Sequence, residues 1–178
     1  MAVRKLVLAM LVVLVGACCA RAAEASTRPI SIEDLATRAD VIVIADVADV
    51  RSHWNATRTM ILTTIDLGVR EAFKGAASNV HLTVTELGGT VDNIASVVPD
   101  APRFRPGERA LLFLSCRPDG GLGVTHLWQG KFDIEADAGN PRAVRRLAGS
   151  DTVVDAIPLT TARAAIRAHA TPGAAPCR

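Results

Sequence analysis

The sequence predicts a mainly β fold: a small five-stranded barrel with one helix on its N-terminal side and a C-terminal helical tail. Two observations carry most of that expectation. Apolar and polar residues alternate with a period of two over Thr59 to Phe73 and again over Val80 to Thr85. Gly- and Pro-rich punctuation then separates the β-branched and apolar runs as far as Asn140-Pro141. A third observation limits the helices, because only two segments open with helix-start chemistry, near Ser31 and near Thr160.

In chain order, Ser31-Ile32-Glu33-Asp34 places an N-cap hydroxyl before two acidic residues, so a short helix is expected to run to about Arg38. Val41 to Val50 is rich in Val and Ile with both faces apolar at first, as in a strand leaving a core. In the second strand Ile61, Thr63, Ile65, Leu67, Val69 and Phe73 share one face, and Lys74-Gly75 ends it. Val80, Leu82 and Val84 mark the third. Leu87 to Gly107 contains Gly88-Gly89, Pro99, Pro102 and Pro106, which reads as one long loop. Arg109 to Ser115 is a short apolar run suited to a buried strand. Asp119-Gly120-Gly121 then turns the chain into a returning strand, Gly123 to Trp128 and Lys131 to Glu135, interrupted at Gly130. Beyond Asn140-Pro141 the pattern loosens, and Thr160 to Ala170 reads as an Ala-rich helix capped by a threonine. The expected organisation is a signal segment over 1–25, the barrel over 26–140, and a tail with a short helix over 141–178.

The signal segment rests on order. Arg4 and Lys5 precede an apolar stretch from Leu6 to Ala17, too short for the roughly 20 residues that span a bilayer, and Ala-x-Ala sites follow at Ala20-Arg21-Ala22 and Ala23-Glu24-Ala25. Cleavage after Ala25 and a secreted or periplasmic location are expected. Val15-Gly16-Ala17-Cys18 also resembles a lipobox, whose Cys18 would become a lipid anchor, and that reading makes the protein a membrane-anchored lipoprotein. The chain carries 20 basic and 18 acidic residues. Loss of Arg4, Lys5, Arg21 and Glu24 with the signal leaves no net charge, which argues against nucleic acid or an anionic surface as a partner. An exported chain meets an oxidising compartment, so Cys116 and Cys177 are expected to form a disulfide.

Catalytic chemistry finds no signature. His53, His81, His126 and His169 have no metal-ligand spacing, and neither a nucleophile elbow nor a phosphate loop occurs, so no catalytic residue, metal site or cofactor is expected. Asn55-Ala56-Thr57 fits a glycosylation acceptor. The long loop offers Ile94, Val97, Val98 and Phe104 beside Arg103 and Arg105, a mixture of apolar anchors and arginine that interfaces favour. It reads equally as a lid, with the apolar residues folded back over the barrel end.

Three further stretches line up: Ala39-Asp40-Val41-Ile42-Val43 at the first strand, Phe73-Lys74-Gly75 closing the second, and Pro106-Gly107-Glu108-Arg109-Ala110-Leu111-Leu112-Phe113-Leu114. Their order resembles the netrin-like module, the OB-type barrel of tissue inhibitors of metalloproteinases, over residues 39 to about 115. Phe104 to Arg109 and Gln129 to Phe132 are also similar to stretches of bacterial secreted proteins. The resemblance implies an OB-like barrel and a non-enzymatic binding role, with an extracellular protease as the class of protein partner. In those inhibitors an N-terminal cysteine chelates the protease zinc. Here the early cysteines are Cys18 and Cys19, both removed by cleavage after Ala25, so that role is not carried over to any residue.

Overall fold

The computed structural model describes residues 29–137, 139–171 and 177. The expected signal segment over 1–25, with Cys18, lies outside the described residues. The chain forms helix α1 (Ile32–Arg38), strands β1 (Val41–Trp54), β2 (Ile61–Lys74), β3 (His81–Leu87), β4 (Gly89–Val91), β5 (Ile94–Ser96), β6 (Arg109–Cys116) and β7 (Leu122–Val124), a 3-10 turn (Leu127–Gly130), strands β8 (Lys131–Asp137), β9 (Asn140–Arg146) and β10 (Val153–Pro158), and helix α2 (Leu159–His169). Ser31 caps α1 as its sequence requires, its hydroxyl accepting from the Asp34 N–H at 3.1 Å. No described helix is long and apolar enough to cross a membrane.

Five strands close an OB-like barrel in the order β1-β2-β3-β7-β6, with β6 returning to β1 from Val41↔Leu114 to Asp46↔Arg109. Register shifts along β1 at Ile42/Val43, Ile44/Ala45 and Val47/Asp49 add the local twist that lets a 14-residue strand curl around the barrel. The β3–β7 seam is the weak one, a parallel contact with a single register pair, Val84↔Leu122. Alternate residues of these strands fill the interior: Val41, Val43, Ala45 and Val47 meet Ile65, Leu67, Val69, Val84, Leu112, Leu114 and Val124. The intervening residues Ile42, Ile44, Leu111 and Phe113 are also buried, because α1, α2, Phe132 and Ala143 cover the barrel's outside there. That second core is why Val41–Ile44 is apolar on both faces.

Three expectations need correction. First, the segment after residue 140 is more than a tail with one short helix. Asn140–Arg146 and Val153–Pro158 are strands that extend the barrel sheet through β8, and α2 buries Leu159, Ala162 and Ile166 in the same outer core. Alternation was hidden because Ala143, Val144 and Arg145 are buried in succession, one of them a guanidinium. Second, the expected returning strand is two elements. β7 pairs with Leu114–Cys116, β8 pairs with Ala110–Leu112, and the 3-10 turn lies between them. His126 and Leu127 both adopt left-handed backbone (φ 54° and 58°), and a Cβ at Gly130 would overlap the Thr125 carbonyl, so the chain doubles back here instead of running on. Third, α2 starts at Leu159 with Pro158 at the cap position and no side-chain cap, so Thr160 is not the cap.

The outer face of the barrel closure is braced by charge. Asp46 on β1 accepts from Arg109 on β6 (Nε 2.6 Å, Nη2 3.1 Å) and from Arg70 on β2 (Nε 2.7 Å). The Arg109 hydrogen bond is the larger cause, and with Arg70 it overcomes the opposing effect of burial and holds the Asp46 carboxyl down at about 2. Because this pKa lies below the unfolded value, the contribution is present above about pH 4 and lost as pH falls toward 2. Partial exposure screens the interaction, so Asp46→Asn is expected to lose about 1 kcal/mol at pH 6, with the deficit shrinking to nothing near pH 2. Urea unfolding of both proteins across that range checks it; a deficit independent of pH would mean the carboxylate charge is not what stabilises.

Candidate functional site

Of the expected binding residues, Val97, Val98, Arg103, Phe104 and Arg105 line one cleft at the barrel's open end, and Ile94 does not. Beyond the interior layer, β1 supplies Val50 and Ser52, β2 supplies Thr63 and Ile65, and β3 supplies Glu86. The chain then crosses the opening. Gly88 and Gly89 have φ of 91° and 128°, and a Cβ at Gly89 would overlap the Ser52 and Thr63 hydroxyls, so only glycine permits this approach. The Thr63 hydroxyl donates to the Gly88 carbonyl at 2.7 Å, which leaves Ser52 to donate to Thr63 at 2.9 Å. The Gly88 N–H donates to the Ile61 carbonyl. Residues expected to be loop are therefore partly strand: β4 and β5 form a two-stranded hairpin, seated on the rim by these bonds.

The sequence-predicted binding residues divide into two groups. Phe104 packs against the barrel core, with the Lys131 ammonium 5.3 Å from its ring, and Val98 is half-buried beside Gly88. Ile94 and Val97 point outward, 54% and 81% exposed. The lid reading describes Phe104 and Val98, which lie against the barrel end, while Ile94 and Val97 face out. Arg103 and Arg105 are exposed, line the same cleft of about 500 Å³, and form no salt bridge among the described residues. Arg109, the third arginine of the stretch, is taken by Asp46.

Sequence reasoning missed Glu86. It sits on the same face of β3 as Val84 and is 6% exposed, at the inner end of the cleft. Oε1 accepts from the Val124 N–H at 2.6 Å, which substitutes a side-chain bond for the ladder bond absent where β3 and β7 part. Oε2 lies 3.6 Å from Arg117 Nη2, beyond hydrogen-bond length. Burial raises the Glu86 pKa, and the Val124 N–H and Arg117 only partly oppose this. An isolated acidic residue in an alternating strand looks like a solvent-facing one, so the signal that could have found it was its phase with Val84.

A second, smaller concavity of about 200 Å³ lies between Arg103, Lys131, Arg146 and the turn at Gly149. Some of its charges are spent on carboxylates: Lys131 contacts Asp133 and lies 3.0 Å from Glu108, and Arg146 pairs with Asp133 and Glu135, whereas Arg103, Arg105 and Asp151 form no salt bridge among the described residues. The Glu108 contact is ionic without hydrogen-bond geometry. Among the described residues no group of three or more His, Cys, Asp or Glu could hold a metal ion. Asn55 is consumed by its own turn, its oxygen accepting from the Thr59 and Met60 N–H groups and its amide donating to Thr57 and Thr59.

No protein family, curated protein or solved structure matches this chain. The stretches that carried the resemblance nevertheless have physical roles here. Lys74 reaches the C-terminal carbonyls of α1 at Ala36 and Thr37, and a Cβ at Gly75 would overlap the Asp40 carbonyl. Asp40 in turn accepts from the Cys116 N–H at 2.8 Å. Phe104 and Glu108 meet Lys131, so the Phe104 to Arg109 and Gln129 to Phe132 stretches meet in space. Cys116 is joined to Cys177, with Cα atoms 5.3 Å apart.

Proposed function

We propose that this protein is an exported, non-enzymatic binding module that engages a protein partner across the barrel mouth, with Ile94 and Val97 as apolar anchors and Arg103 and Arg105 as polar contacts. The observation that carries the reading is that two apolar side chains are exposed at the rim, Ile94 on the β4–β5 hairpin and Val97 directly after it. Exposed apolar groups on a rigid element lose little entropy on docking. An extracellular protease is the partner class that the netrin-like resemblance suggests.

The double substitution Ile94→Asp and Val97→Asp tests it. Both side chains are exposed, so stability should change by no more than about 0.5 kcal/mol for each site. Partner capture should fall at least tenfold, as read first by comparing extracellular proteins retained by the two forms, then by titrating the retained partner in purified form. A panel of purified extracellular proteases provides the narrower arm. A partner bound equally by both forms would remove the mouth as the contact surface.

A further inference from the structure

We propose that Arg103 and Arg105 form a paired carboxylate receptor for an extended acidic segment of the protein partner, one with acidic residues at alternate positions. This rests on the binding-module reading above and adds the chemistry and spacing the partner must present. The pair is built by the residues around it. Pro102 fixes its own φ, and the prolines at 102 and 106 bias Ala101 and Arg105 toward extended backbone. Burial alternates accordingly: Pro102 is buried and Phe104 packs on the barrel core, while Arg103 and Arg105 are exposed. Two residues apart on extended backbone, the arginines leave the same face about 6–7 Å from each other.

Both arginines line the cleft of about 500 Å³ at the mouth and the smaller concavity of about 200 Å³ beside Gly149, so their segment is the ridge between the two. A Cβ at Gly149 would come within 3.1 Å of Arg103 Nη2, so the glycine leaves that guanidinium its room. The lining carboxylates do not neutralise the pair. Glu108 and Asp133 are held by Lys131, Glu86 lies by Arg117, and Asp151 alone is left without a salt bridge among the described residues. Two free guanidiniums against one free carboxylate leave a positive excess. An extended peptide presents alternate side chains on one face at the same spacing as the arginines, so each guanidinium can take one carboxylate. Residues 101–105 belong to no strand of either sheet, so such a segment can lie alongside the ridge.

The test uses the full chain and three capped peptides: acetyl-Ala-Glu-Val-Glu-Ala-amide, its Gln-Val-Gln counterpart and its Glu-Glu-Val reordering. They are titrated by NMR with the Arg103, Arg105 and Gly149 amides as reporters. The Glu-Val-Glu peptide should shift these signals and bind about tenfold more tightly than the Gln-Val-Gln peptide. It should also bind more tightly than the reordered peptide, whose carboxylates leave opposite faces. Arg103→Gln with Arg105→Gln changes two exposed side chains, so the double variant should fold, and it should lose the preference for glutamate over glutamine. Equal affinity for the glutamate and glutamine peptides on the unmodified chain would overturn the proposal, as would a preference that survives in the double variant. So would no shift by the Glu-Val-Glu peptide at 10 mM, about the weakest affinity such a titration resolves. Equal affinity for the reordered peptide would overturn the alternate spacing, and acetate binding as tightly as the peptide would overturn the peptide source. The capture experiment with the Ile94→Asp and Val97→Asp form separates the two readings. Unchanged capture there, with the glutamate preference present on the unmodified chain, sinks the apolar-anchor reading and leaves the arginine pair standing; reduced capture without that preference does the reverse.

Discussion

Replacing Arg145 by methionine is expected to destabilise the fold by about 3–5 kcal/mol, the cost typical of removing one partner from a buried charged network. Arg145 lies on β9 with its side chain 2% exposed. Nη1 donates to the Ile30 carbonyl at 2.7 Å and to the Gln129 carbonyl at 3.3 Å, and Nη2 donates to Asp155 on β10 at 3.0 Å. The guanidinium also stacks over Phe132 at 4.7 Å. One planar fork thus joins the segment before α1, the 3-10 turn and the last strand. Gln129 reinforces it, accepting from the Ile30 N–H at 2.8 Å. Burial pulls the Arg145 pKa down and Asp155 opposes that shift. Methionine fills the volume but leaves two carbonyls and a carboxylate without their donor. Lysine keeps the charge but cannot reach in three directions from a plane, so Arg145→Lys should recover only part of the loss. Urea unfolding gives the size of the effect, and hydrogen exchange of the Ile30 and Ser31 amides gives its location. A methionine variant within 1 kcal/mol of the parent, with unchanged exchange at Ile30, would show that the network is dispensable.

The same residue explains where the sequence stopped being legible. Period-two alternation in β2 and β3 reports one buried face, and the structure buries Ile61, Ile65, Leu67, Val69 and Val84. β9 carries no such signal, since an arginine occupies a core position directly after two other buried residues, Ala143 and Val144. The hairpin β4–β5 is hidden for another reason. Its strands are three residues each and are held by glycines and hydroxyls on the barrel rim, contacts between positions far apart in the chain. The candidate site was half legible on similar grounds. Ile94, Val97, Arg103 and Arg105 stand out by composition, whereas the roles of Phe104 as cover and Glu86 as buried acceptor depend on strand phase and on the gap between β3 and β7. Three-dimensional closure of the barrel creates those roles, and the only local trace of them is the phase of Glu86 with Val84.

Opening the Cys116–Cys177 bridge is expected to cost about 4 kcal/mol, the chain-entropy value for a closed loop of this size. The separation is 61 residues, and after β7 and the 3-10 turn the closed loop holds β8, β9, β10 and α2. Those elements cover the outer faces of β1 and β6, so the bridge closes a loop around the second core. Its end at Cys116 is positioned independently of the bond: the Cys116 N–H donates to Asp40, and Cys116 pairs with Leu122 on β7. Losing the bond should therefore leave the folded state in place and act mainly by releasing the unfolded chain. The Cys116→Ser and Cys177→Ser double variant should show a thermal midpoint lower by on the order of 10 °C. Its unfolding should also depend more steeply on urea, since the unfolded chain exposes more surface without the cross-link. Reducing the parent protein should reproduce both changes. A digest of the unreduced parent should contain the Cys116 and Cys177 peptides as one linked species. Their recovery as separate thiols, or a midpoint unmoved by reduction, would mean that the outer core holds the C-terminal elements without covalent help.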